Sequence, residues 1–161
     1  MTREERQRHA LECFRQAYEH QVQGCLDEAI AGYQRSLDLH PTAEAYTFLG
    51  WAYSYQGRYG EAIQECLRAI DVDPDFGNPY NDIGAYLIEL GQLDQAVPWL
   101  RKAAAAKRYD SRCFPHFNMG RVFEQTGQWM QAVDSYRSAL RANPTYALAA
   151  RALSRVSGML N

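Results

Sequence analysis

The chain's 161 residues, 47% apolar and 22% charged, have the composition of a globular protein long enough for one domain with a real core. Seventeen Lys and Arg against nineteen Asp and Glu leave a net charge of -2, which offers no electrostatic ground for binding nucleic acid or an anionic membrane. The charged start MTREERQRHALECF is unlike a signal peptide, the alanine run at 103–106 is too short to cross a bilayer, and Cys13, Cys25, Cys66 and Cys113 form no CxxC pair; the expectation is a cytoplasmic chain with reduced thiols and no membrane insertion.

In chain order, apolar spacing predicts helices over 3–23 and 26–39, the first extended by the charged TREERQRH. Their stretch QAYEHQVQGCLDEAIAGYQRSLDLHP, from Gln16, is the weakest of four related segments. Helices over 43–56 and 59–71 follow, carrying LGWAYSYQGRYGEAIQECLRAIDVDP from Leu49. Tyr46, Leu49, Gly50 and Tyr53 fall at helical spacing before its central glycine, and Tyr59, Ala62, Ile63 and Cys66 after it. Helices over 79–90 and 93–106 carry IGAYLIELGQLDQAVPWLRKA from Ile83, with Pro98 placed near a first turn, where a missing N–H costs least. A longer connection, 107–112, leads to helices over 113–126 and 129–142, with MGRVFEQTGQWMQAVDSYRSALRANP from Met119. Past Pro144, Ala147, Ala150, Leu153, Val156 and Leu160 make one apolar stripe, read as a capping helix over 147–160 that covers the last unit.

The four segments share fixed offsets. A small residue (Ala17, Gly50, Gly84, Gly120) is followed seven positions later by Gly24, Gly57, Gly91 or Gly127, and twelve later by Ala29, Ala62, Ala96 or Ala132. Small residues let two helices approach closely, and a glycine suits the point where a helix stops and turns. Pro41, Pro74 and Pro144 close three of the units. These columns resemble the tetratricopeptide repeat: Tyr46, Leu49-Gly50, Tyr53, Ala62, Ala69 and Pro74 carry the signature, with Tyr80, Ile83-Gly84, Leu87, Ala96, Leu100 and Ala103 in the next copy. His116, Met119-Gly120, Phe123, Ala132, Tyr136, Ala139 and Pro144 follow in the last, while the first keeps only Ala17, Ala29, Tyr33 and Pro41. The resemblance implies an all-α fold, a right-handed superhelical solenoid of antiparallel helix pairs. Residues 1–161 then form a single domain, with repeats at about 10–42, 43–76, 77–112 and 113–146 and a cap at 147–160.

The family resemblance also implies that the free columns of each unit's first helix line a concave wall. Counted from the small residue, three before are Phe14, Thr47, Asn81 and Phe117, and one after are Tyr18, Trp51, Ala85 and Arg121. Four after are Gln21, Ser54, Ile88 and Glu124, and six before are Leu11, Glu44, Asn78 and Phe114. From these, Phe14, Tyr18, Thr47, Trp51, Asn78, Asn81, Ile88, Phe114, Phe117 and Arg121 are the candidate partner-binding residues. Aromatic side chains of this size make up a functional patch and dominate binding energy. The function expected is a non-catalytic scaffold that binds a peptide or helix of a partner protein, with an acidic group of that partner near Arg121. The alternatives are a homo-oligomeric assembly scaffold, a groove filled by the chain's own terminus, or a secretion-type chaperone. The carboxylate clamp of some co-chaperones is not expected, because no lysine occupies these columns.

Signals for chemistry are weak. His9, Cys13 and His20, or Cys113 and His116, sit at spacings a metal can use, yet no quartet of ligands exists, so neither metal nor cofactor is expected. No G-x-S-x-G, P-loop or H-E-x-x-H motif is present, so no enzyme activity is expected. Asp27, Glu28, Glu61, Asp94 and Asp134 are read as starting second helices, where they meet the positive end of the dipole. Lys102, Lys107, Arg108 and Arg112 around the long connection are read as a solvated loop rather than a nucleic-acid site.

Overall fold

A computed structural model describes residues 1–161. They fold into nine helices: α1 (Arg3–Val22), α2 (Leu26–Leu39), α3 (Ala43–Tyr55), α4 (Tyr59–Val72), α5 (Asn78–Glu89), α6 (Leu93–Ala105), α7 (Cys113–Gln125), α8 (Trp129–Ala142) and α9 (Ala147–Met159). Strand pairing is limited to one isolated parallel bridge between Phe76 and Arg108. The expected boundaries agree with these to within a residue or so at every end.

Each hairpin closes in the same way. Gly57 has φ +72°, and Gly24, Gly91 and Gly127 share this left-handed conformation. At that turn the Gly57 N–H donates to the Ser54 carbonyl (2.9 Å) and the Arg58 N–H reaches back to Tyr53 (3.0 Å), which satisfies carbonyls the helix end would leave orphaned. The pattern recurs at the other three turns, where Cys25, Gln92 and Gln128 bond to His20, Leu87 and Phe123 at 2.8 Å. Opposite the turns, the small-residue column sets the helix spacing. A Cβ added to Gly84 would overlap the Leu100 side chain, and one on Gly120 would overlap the Tyr136 ring.

Helices pack first on their hairpin partner and then on the next hairpin in the chain. The first helices α1, α3, α5 and α7 also touch one another in series, while second helices make no comparable contacts. Closer spacing on one side bends the stack, so the first helices form the inner wall of an α-solenoid. A continuous core runs through it, from Ala17 and Tyr33 through Leu49, Cys66, Ile83 and Leu100 to Met119 and Val122. A smaller cluster joins α8 to α9 through Val133, Tyr136, Ala152 and Val156.

Three local expectations need correcting. Pro98 is not at a first turn: α6 starts at Leu93, so the proline is the sixth helical residue and removes a bond from the helix interior. Asp134 is likewise the sixth residue of α8, exposed and beyond the first turn; Asp27, Glu28, Glu61 and Asp94 do lie in first turns. The 107–112 connection is not simply a solvated loop. Arg108 exchanges backbone bonds with the α4–α5 turn (its N–H to Asp75, its carbonyl from Gly77, both 2.9 Å) and pairs through its side chain with Asp73 at 2.7 Å and Glu44 at 3.0 Å. Arg112 donates to the Ala104 and Ala106 carbonyls at 2.6 Å, closing the end of α6.

Candidate functional site

The inner wall begins with aromatic rings. Phe14 of α1 and Phe48 of α3 meet edge to face, with centroids 5.2 Å apart, and Phe48 meets Trp51 at 5.7 Å. Trp51 continues to Tyr55 at 5.4 Å, and Tyr18, 43% exposed, flanks Phe48. Such tilted and edge contacts suit the ring quadrupoles. Phe14 is half-buried against the core and helps to hold Phe48; Tyr18 and Tyr55 stay open to solvent.

At mid-wall the rings border a pocket of about 270 Å³. Thr47, Phe48 and Trp51 of α3 form one side, and Asn78, Asn81 and Asp82 of α5 the other. Tyr109 and Ser111 come from the 107–112 connection, and Phe114 from the start of α7. The connection reaches this place because Tyr109 packs over Gly77, where a Cβ would collide with its ring. The longest of the units thus contributes, through its extended connection, side chains that a shorter repeat would not place here.

Asp82 is the unusual group in this pocket. It makes no ion pair. Burial pushes its carboxyl up to about 7, only partly opposed by a long hydrogen bond from Asn81 Nδ2 at 3.5 Å. Asn81 is oriented in turn: its Oδ1 accepts from Asn118 Nδ2 at 3.1 Å, and Asn118 Oδ1 accepts from Arg121 at 3.2 Å. The donors therefore run in one direction, from the Arg121 guanidinium to the Asp82 carboxylate.

Beyond this relay lies a second hollow of about 630 Å³ between α7, α8 and α9, bordered by Phe117, Arg121, Glu124, Trp129, Leu148, Arg151 and Arg155 among others. Glu124 accepts from the Tyr136 hydroxyl at 2.6 Å and takes two bonds from Arg155 Nη2 at 2.8 Å, which ties α9 to α7. Arg121 is paired with Glu89 at 3.2 Å. Arg151 is exposed and forms no ion pair.

The ten sequence candidates are thus distributed along the wall. Thr47, Trp51, Asn78, Asn81 and Phe114 come together at the central pocket, Phe14 and Tyr18 at the N-terminal end, and Phe117 and Arg121 at the C-terminal hollow. Ile88 does not join them: it is 6% exposed and packed in the main core. The other residues of its column, four after the small residue, have partners within the protein. Gln21 accepts from the Tyr33 hydroxyl at 2.7 Å, Glu124 from Tyr136, and the Ser54 hydroxyl donates to the Trp51 carbonyl at 2.7 Å. Arg121 is already engaged with Glu89 and Asn118 before any partner's acid arrives. Sequence reasoning missed Phe48 and Asp82, which share a column two before the small residue, and also Tyr109 and Ser111. It missed α9 as part of the wall as well. With Ser154 taken as its small residue, Leu148, Arg151 and Arg155 hold the same three columns as the residues of α7.

Three family models described as "Tetratricopeptide repeat" match residues 43–76, 80–108 and 117–157. Among curated proteins, the human mitochondrial import receptor subunit TOM70 is 28% identical over 137 residues, covering 81% of this chain and 22% of that protein. Human outer dynein arm-docking complex subunit 4 is 40% identical over 70 residues, 40% of this chain and 10% of that protein. The chain spans about a fifth or less of the length of these relatives. Among solved structures, Pseudomonas aeruginosa PilF superposes with a TM-score of 0.87 at 20% identity, covering 94% of this chain and 68% of that one. The type IV pilus biogenesis factor PilW gives 0.84 at 21%, covering 93% and 69%. YrrB, a TPR protein with an unusual peptide-binding site, gives 0.68 at 22%, covering 93% and 77%. At these identities the structural likeness speaks for the fold alone.

Proposed function

The chain belongs to the tetratricopeptide-repeat family, a family of protein-interaction scaffolds, and we propose that it works without catalysis, by holding a segment of a partner protein along its concave wall. The observation that carries this reading is the run of half-open rings on the inner helices, Tyr18, Phe48, Trp51, Tyr55 and Phe114, beside the central pocket. Rigid aromatic side chains bury much apolar area at small entropic cost, and the carbonyls and amides of a peptide find a donor and an acceptor in Asn78 beside them.

Peptides selected from a random library on the immobilised protein provide the probe. Titrated into isotope-labelled protein, they are expected to shift the Trp51 indole signal and the backbone amides of α1, α3, α5 and α7. Shifts concentrated on α2, α4, α6 and α8 would contradict the reading.

A further inference from the structure

We propose that the central pocket is a cation subsite of the groove: it receives the ammonium or guanidinium group of a lysine or arginine side chain on the bound segment, with Asp82 as counter-charge and Phe48 and Trp51 as flanking walls. The proposal rests on the groove reading and adds the chemistry of one position in the ligand.

The relay from Arg121 fixes the electrical sense of the pocket. Asn81 turns its NH₂ toward Asp82 because its oxygen is occupied by Asn118, so Asp82 is the acceptor end of the chain. Only one long hydrogen bond reaches its carboxylate from the protein, and that carboxylate borders an open cavity. The titratable groups that face it are Tyr86 on its own helix, Cys66 on α4 and Tyr109 on the connection. All three are raised by burial and so neutral, and none is a cation. The nearby arginines are committed elsewhere: Arg108 to Asp73 and Glu44, Arg121 to Glu89.

A half-buried acid of this kind is costly until something positive joins it. The walls favour an organic cation over a bare ion. An indole face is the best aromatic partner for a cation, and a lysine or arginine brings an apolar stem that lies along rings while its head stays polar. A cavity of about 270 Å³ has room for one long side chain. A carboxylate ligand would be repelled by Asp82, and a neutral apolar one would leave it unpaired.

The probes are Nα-acetyl-lysine methylamide and its arginine, norleucine and Nε-acetyl-lysine counterparts, titrated by NMR into wild type, Asp82→Asn and Trp51→Ala. Kd values on the order of millimolar suit single-residue ligands. The two cationic amides should bind wild type at least tenfold more tightly than the two neutral ones, shifting the Trp51 indole and Asn81 side-chain signals. Asp82→Asn should abolish the preference and Trp51→Ala should weaken it. Equal binding of norleucine and lysine amides, a preference retained in Asp82→Asn, or no binding of any amide would overturn the proposal. A check that needs no variant is the carboxyl carbon of Asp82 in wild type. Its titration midpoint should fall below about 7 as lysine amide is added, and an unmoved midpoint counts against the subsite. If library-selected peptides lack basic residues yet lose binding on Trp51→Ala, the cation subsite fails while the groove reading stands.

Discussion

Burial holds the Asp82 carboxyl at about 7, against 3.8 for a free aspartate, so the folded protein binds that proton more tightly than the unfolded chain does. The contribution is fullest below about pH 4 and is lost as pH climbs toward 7 and the folded group ionises. Asp82→Asn should therefore stabilise the protein at pH 8, by on the order of a few kcal/mol, and change little at pH 4. Urea unfolding of both proteins at the two pH values checks this; an equal effect at both would exclude ionisation as the cause. Asp82 was not legible as a site residue, since an acid within a helix ordinarily reads as solvated. The first unit shows another residue-scale blind spot. Its small-residue column is matched by Ala17 rather than by a glycine, and Gly32 stands opposite, where a Cβ would come within 2.7 Å of the Ala17 Cβ. The close approach is preserved by moving the small residue to the other helix, a compensation invisible to column matching.

At the scale of elements, the helices were readable because each turn glycine carries its own conformational reason and recurs at a fixed offset. The 107–112 connection was not, because it occurs once and has no second copy to align. Its packing depends on Tyr109, 7% exposed and clustered with Ala103, Ala106 and Tyr80. Tyr109→Ala should cost about 3 kcal/mol and loosen the central pocket, while Tyr109→Phe should cost under about 1 kcal/mol, as the ring makes the contact. Denaturant midpoints separate the two, and an alanine variant as mild as the phenylalanine one would show that the ring does not anchor the connection. The covering face of α9 is Ala149, Ala152 and Val156, while Ala147, Ala150 and Leu160 of the expected stripe are exposed; α9 was legible only as a helix that covers the last unit. Its part in the inner wall was not, because a covering role accounts for its apolar stripe without asking what Leu148, Arg151 and Arg155 face.

The whole molecule is a curved stack in which each hairpin leans on the next, and its concave side follows from the closer contact of the first helices. That much is written into the repeat. What the wall recognises is carried by side chains the repeat leaves free, and these vary from unit to unit. Rings dominate near α1 and α3, an acid sits at α5, and arginines gather at α7 and α9. A bound segment therefore meets a different chemistry at each step, which is how one shape supports selective binding.

The most direct test is calorimetric titration of a library-selected peptide into wild type, Trp51→Ala on the inner wall and Met130→Ala on α8, whose side chain is 61% exposed and away from both hollows. Trp51→Ala should weaken binding at least tenfold, about 1.4 kcal/mol, with Met130→Ala indistinguishable from wild type. Full affinity in Trp51→Ala together with a loss in Met130→Ala would place the binding surface on the outer helices and contradict the account.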